Sequence, residues 1–161
     1  MPVWPCEIQF RTTQDDLRKD GPLMPASWKS NSPNDSQRID GALLLDTGAS
    51  GFMIDDSVAK LLKLEVLSEY EIHGAHGFGK SRKYIANLLI PVKDARGQEI
   101  LLQIPAECSE IPDLCKNYEM KGRKVIGVLG RNFLQFANIA IDGPSGSVRV
   151  SISKEILEPR N

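Results

Sequence analysis

Cysteine is scarce in this chain, and the three present, Cys6, Cys108 and Cys115, are an odd number. A disulfide framework is therefore not expected, and free thiols suit a reducing compartment. His73 and His76 lie far in sequence from both later cysteines, without the close ligand spacing of a zinc site, so neither a metal nor a cofactor is expected. Charge of one sign does not prevail. Lys and Arg number 20 against 21 Asp and Glu, a net charge of −1, and the basic residues are scattered. With no basic face, nucleic acid is not an expected partner. No apolar run approaches the length of a membrane span, so no membrane partner is expected either. The opening residues, MPVWPCEIQF, lack a basic region followed by an apolar core. No signal peptide is read there, although a processed fragment of a longer precursor would look the same, and a cytoplasmic location is expected.

What is present suits one domain with a real core in 161 residues. Short apolar or alternating runs dominate: 3–10, 39–46, 70–73, 83–92, 99–105, 125–130, and a hairpin of 138–142 with 148–152 around GPSGS. Helical spacing is confined to DDSVAKLLKL (55–64), capped by Asp55 or Asp56, and to a single turn in RNFLQF (131–136). Residues 106–122 read as irregular. Residues 12–38 are polar, with Pro22, Pro25, Pro33 and SNSPNDS, and read as a surface loop or insertion. The expected plan is all-β: a first strand in 1–11, the insertion, a main domain over 39–153 and a tail over 154–161.

Two motifs compete for the chemistry. GAHGFGKS (74–81) fits the phosphate-loop pattern G-x-x-x-x-G-K-[ST] through Gly74, Gly79, Lys80 and Ser81. Such a loop needs a buried strand before it and a helix directly after it, whose N-terminus adds positive potential. The strand before it here is half polar, and strand and helix do not alternate along the chain as a parallel sheet requires. The spacing fits and the context does not.

The second motif is LLLDTGASGFMID (43–55). Asp46 ends an apolar strand, and Thr47, Gly48, Ala49 and Ser50 make a tight turn. Later, VIGVLGRNFLQFANIAID (125–142) carries an apolar–apolar–Gly run into Gly130-Arg131-Asn132-Phe133-Leu134. Taken together, D-T-G-A-S after three apolar residues and the later G-R-N-F-L segment resemble the retropepsins, the retroviral-type aspartic proteases, over about Gly41 to Ile152.

The resemblance implies a small closed β-barrel in which the D-T-G loop and the G-R-N segment pack together beneath a cleft. It makes Asp46 the catalytic residue and gives Thr47 and Gly48 supporting roles. Gly48 and Ala49, with His76, Gly77 and Phe78 of a glycine-rich flap over about 70–90, become candidates for substrate contact. Peptide hydrolysis by this route needs two carboxylates sharing one proton. The chain has one D-T-G and no second D-T-G or D-S-G, so the resemblance implies a two-fold homodimer with Asp46 from each copy, acting on a peptide or protein. Retroviral members often place an acid just after the triplet to pair with the Arg. Here Ser50 and Gly51 stand there, leaving Asp55, Asp56 or no acid for Arg131. A non-catalytic peptide-binding or dimerisation module on the same fold is the rival reading, and a phosphate-loop protein is a further one.

Overall fold

The structure, a computed structural model, describes residues 1–74 and 77–158. In chain order they form β1 (Cys6–Arg11), α1 (Gln14–Asp20), β2 (Leu23–Ser30), β3 (Arg38–Leu45), β4 (Phe52–Asp55), α2 (Asp56–Leu61), β5 (Val66–Gly74) and β6 (Gly77–Lys93). Then follow β7 (Glu99–Ile111), α3 (Leu114–Glu119), β8 (Val125–Leu129), α4 (Arg131–Leu134), β9 (Ala137–Asp142), β10 (Ser147–Ile152) and a 3-10 turn, Lys154–Leu157.

Strands β2, β3, β8, β4, β7 and β6 neighbour one another in that order, and β6 pairs back onto β2 through Ala86–Leu89 against Ser27–Ser30. The six strands therefore close into a barrel, which leaves no open edge around the ring. Two of the pairings, β3 with β8 and β4 with β7, are parallel. Strands β1, β10 and β9 extend from β6 as an antiparallel flank, joined where Glu7 meets Lys93. Alternation along the strands fills the interior. Leu43 and Leu45 of β3, Ile54 of β4, Leu88 and Ile90 of β6, Ile104 of β7 and Leu129 of β8 are all buried there.

The polar stretch 12–38 is not the loop that its composition suggests. It contains α1 and β2, and β2 is a barrel strand whose Met24 and Trp28 are fully buried. The Trp28 indole N–H donates to the Ile126 carbonyl at 3.2 Å, so its one polar atom is satisfied inside the core. Pro25, Lys29 and two buried serines, Ser27 and Ser30, hid the strand by breaking its apolar pattern. The stretch 106–122 is likewise ordered. β7 runs on to Ile111 with Ala106 and Cys108 buried, and α3 follows.

The phosphate-loop reading fails on backbone conformation. Residues 77–93 are one continuous strand, antiparallel to β5, with Lys80 opposite Glu71 and Ser81 opposite Tyr70. No helix starts after the glycines, so no helix N-terminus is available to face a phosphate. All three cysteines are free, Cys6 and Cys108 buried and Cys115 half-buried. Among the described residues no helix is long and apolar enough to cross a membrane.

Candidate active site

Strand β3 aims the site. Its alternation sends Leu43 and Leu45 into the core and leaves Leu44 and Asp46 on the opposite face, half-buried. On one side the Leu45 N–H donates to the Pro22 carbonyl at 3.1 Å, and on the other the Asp46 N–H donates to the Leu129 carbonyl at 3.0 Å. Asp46 is thus fixed at its backbone just where the strand gives way to a turn. Gly48 closes the turn by donating its N–H to the Asp46 Oδ1 at 2.8 Å, and the Ala49 N–H reaches the Asp46 carbonyl at 3.3 Å. A bond from a backbone N–H fixes the orientation of the carboxylate.

The segment after β8 forms the floor of this turn. The Arg131 N–H donates to the Ala49 carbonyl at 2.9 Å, and the Asn132 N–H to the Ser50 carbonyl at 3.2 Å. Glycine is obligatory at 130 for contact reasons. A Cβ there would lie 2.6 Å from the Gly51 carbonyl oxygen and 2.7 Å from that of Ala49. Phe133, fully buried, meets Phe52 edge-on with ring centroids 6.4 Å apart and locks α4 onto β4.

Arg131 pairs with neither acid considered for it. Its guanidinium donates to the Thr47 and Gly48 carbonyls, at 2.9 and 3.2 Å, and so clips the D-T-G turn from outside. Asp55 is instead the N-cap of α2, accepting from Ser57 at 2.9 Å and Val58 at 3.2 Å, and its other oxygen accepts the Cys115 N–H at 2.8 Å. Burial pushes the Asp55 carboxyl up, but the bonds from Ser57, Cys115 and Val58 outweigh it and hold the pKa below the ordinary value. The Cys115 thiol, pushed up to about 11 by burial and by the Asp55 charge, is no nucleophile. Asp56 turns to Lys60 and to the Asp113 N–H.

Asp46, Thr47, Gly48 and Ala49 therefore come together in one loop. Among the described residues no hydrogen bond joins that loop to the β5–β6 hairpin. Gly77 opens β6 at φ +114°, a conformation that suits glycine. His76 lies outside the described residues, and so does the side chain of Phe78. Sequence reasoning missed Pro22, the carbonyl that fixes Leu45, because its surroundings read as loop. It also missed the half-buried Leu44 and Met53 on the Asp46 face, for which the alternation in LLLD was an available signal. No cluster of three or more His, Cys, Asp or Glu suited to a metal occurs among the described residues.

No protein-family model and no curated protein matches the chain. Solved structures similar to it include two proteases. One is EIAV protease complexed with the inhibitor HBY-793, at 21% identity over 71% of this chain and 85% of that one, with a TM-score of 0.37. The other is a retropepsin-like aspartic protease from Rickettsia conorii, at 17% identity over 94% of this chain and 98% of that one, with a TM-score of 0.43.

Proposed function

We propose that the chain is a retropepsin-type aspartic endopeptidase, active as a homodimer that brings two Asp46 carboxylates together. The observation that carries the reading is a half-buried aspartate held at three points, by the Leu129 carbonyl, the Gly48 N–H and the Ala49 N–H, in a loop zipped to the G-R-N segment. Structural N-cap or turn aspartates do not need a second loop beneath them. Asp55 caps α2 in this same chain without one.

The reaction needs two carboxylates with one proton between them. The ionised carboxylate takes a proton from a water whose oxygen attacks the scissile carbonyl carbon. The protonated one gives its proton to the carbonyl oxygen, forming a neutral gem-diol. Collapse of the diol returns a proton to a carboxylate, another passes to the departing nitrogen, and the C–N bond breaks to leave acid and amine. No covalent enzyme intermediate forms. These 161 residues carry one D-T-G, so the second carboxylate comes from a second copy across a two-fold axis. Strand β9 supports such an association. It is the last strand of the flank, with its outer edge unpaired among the described residues, and its first five residues carry no charge.

Asp46→Asn preserves volume and removes the shared proton. Cleavage of a peptide library is expected to vanish while the far-ultraviolet spectrum, the melting temperature and the sedimentation coefficient stay those of the wild type. Cleavage retained in this variant defeats the proposal. Peptide binding that survives in the wild type without any cleavage selects the non-catalytic module instead.

A further inference from the structure

Helix α1 is held in place by charge. Its seven residues, QDDLRKD, contain one apolar side chain, Leu17, which is only half-buried, and a helix that short is marginal without packing. Asp16 and Asp20 stand four residues apart on one face, where two like charges repel. Arg123 meets both acids, ion-paired with Asp16 and 3.8 Å from Asp20. Lys121 adds a second cation, 2.9 Å from Asp20, and its ammonium also lies 5.1 Å from the Tyr118 ring. The Asp20 side chain is 5% exposed, so solvent and salt screen these contacts weakly. On the other face Asp15 pairs with Arg18 and Lys19 in the open, where such pairs contribute little.

The two ends of this ionic bridge feed the strands on either side of the D-T-G strand, since β3 runs between β2 and β8. Asp20 leads through Gly21 into β2. The Gly21 N–H closes α1 on the Leu17 carbonyl at 3.1 Å, with φ +79°, and a Cβ on Gly21 would stand 3.1 Å from Leu44 Cδ1. The chain therefore passes close against β3 before Pro22, whose carbonyl takes the Leu45 N–H. Lys121 and Arg123 lead into β8, whose last residue, Leu129, takes the Asp46 N–H on its carbonyl. The bridge thus ties together the two segments whose carbonyls hold Leu45 and Asp46. Among the described residues none of its four side chains hydrogen-bonds to the Asp46 loop itself.

We infer that Asp16, Asp20, Lys121 and Arg123 form an ionic latch across β3 that positions the Asp46 loop. The four are positioning residues, which act through the Pro22 and Leu129 carbonyls and touch no reacting atom. Removing the Asp20 charge leaves Lys121 without its acid and Arg123 with Asp16 alone. The entries to β2 and β8 then part, and the Asp46 carboxylate loses the fixed geometry that chemistry between two carboxylates requires. The catalytic consequence rests on the protease reading. The latch itself does not, because its effect on the Leu45 and Asp46 N–H groups needs no substrate.

Amide hydrogen exchange followed by NMR, beside peptide cleavage and thermal melting, tests the latch on the whole chain. The variants are Asp20→Asn, Asp20→Glu, Lys121→Met and the double variant of Asp20→Asn with Lys121→Met, with Asp15→Asn as the solvent-facing control. In Asp20→Asn the Leu45 and Asp46 amides are expected to exchange about tenfold faster, while that of Val150 in the flank keeps its rate. kcat falls about tenfold and KM stays within about twofold, because no substrate contact is removed. Asp20→Glu keeps the charge and restores most of both. Lys121→Met reproduces the defect in weaker form, and the double variant is little worse than Asp20→Asn alone, as coupled partners require. Asp15→Asn changes kcat less than twofold. Should Asp20→Asn not fold, Lys121→Met, at a half-exposed position, carries the test. Unchanged exchange at Leu45 and Asp46 in the folded variants overturns the latch and leaves the protease reading standing. Exchange that rises everywhere in step with a lower melting temperature makes the bridge a general stabiliser and overturns it too. A wild type that cleaves no peptide ends the protease reading alone, since the exchange rates still decide the latch.

Discussion

At the scale of single residues, the site depends on two glycines for different reasons. Gly48 supplies the N–H that holds the Asp46 carboxylate, and a Cβ there would stand 3.1 Å from the carboxylate oxygen that it binds. Gly130 supplies closeness. Its neighbours at 2.6 and 2.7 Å are backbone atoms, which cannot swing aside as a side-chain end can. Gly130→Ala is therefore expected to destabilise the fold by about 1–3 kcal/mol, the usual cost of overpacking. It should also lower cleavage well beyond what the lost folded fraction explains, because the floor is pushed away from the Asp46 loop. Denaturant melts beside kcat/KM, corrected for folded protein, measure both effects. A stability loss below about 0.5 kcal/mol would mean that the two loops part without resistance. Arg131 adds specificity rather than charge pairing. Its fork meets two carbonyls of the D-T-G turn, a use that the sequence could not reveal, because backbone oxygens exist at every position and only the fold selects two of them.

At the scale of elements, the β5–β6 hairpin is where the two sequence motifs part. A phosphate loop makes Lys80 essential. In a flap, Lys80 is a strand residue opposite Glu71 and exposed, whereas Gly77 at φ +114° sets the bend. Lys80→Ala is expected to change kcat/KM less than twofold, as an exposed charge contributes little. Gly77→Val should lower it at least tenfold, because a β-branched residue at positive φ is strained and stiffens the hairpin. Calorimetry with ATP and magnesium should show no heat of binding for either variant or the wild type. Binding that depends on Lys80 would reverse the assignment. The same scale shows what was legible beforehand. β3, α2, β6, β7, β8, the α4 turn and the β9–β10 hairpin announce themselves by period and punctuation, and the D-T-G strand is legible because its apolar run is buried. β2 was not, since Pro25, Lys29 and the buried Ser27 and Ser30 interrupt the apolar signal of Met24, Ala26 and Trp28. α3 escaped because six residues hold barely one buried side chain, Leu114, too few to express a helical period. The candidate loop was readable in sequence, and the alternation in LLLD was a signal for Leu44, but that Val128 and Met53 stand in a row with it was not, since register alone brings them together.

At the scale of the whole molecule, the barrel closes its own edges and the β1–β10–β9 flank does not. Edge strands in monomeric proteins are usually guarded by charge, proline or a bulge. In β9, ANIAID, the only charge is the terminal Asp142, there is no proline, and its pairing with β10 runs in unbroken register from Ala137 to Asp142. Ile141 is 49% exposed on it, a large apolar side chain half open to solvent. β9 begins three residues after the end of α4, the turn that rests under the Asp46 loop, so a two-fold contact along this edge can transmit directly to the proposed carboxylate pair. Ile141→Lys supplies the missing guard, and in a symmetric pair it also places two like charges near one axis. The expected result is a dimer dissociation constant raised at least tenfold by sedimentation, with little change in melting temperature at concentrations where the wild type is monomeric. Cleavage should fall with the square of concentration over a range in which wild-type rates are still linear, and should recover when the variant is concentrated. High salt, which screens the repulsion, should restore part of the loss. If Ile141→Lys sediments as a monomer yet cleaves at the wild-type rate, one Asp46 suffices and the two-copy mechanism is wrong. If it dimerises as tightly as the wild type, the copies meet elsewhere than at β9.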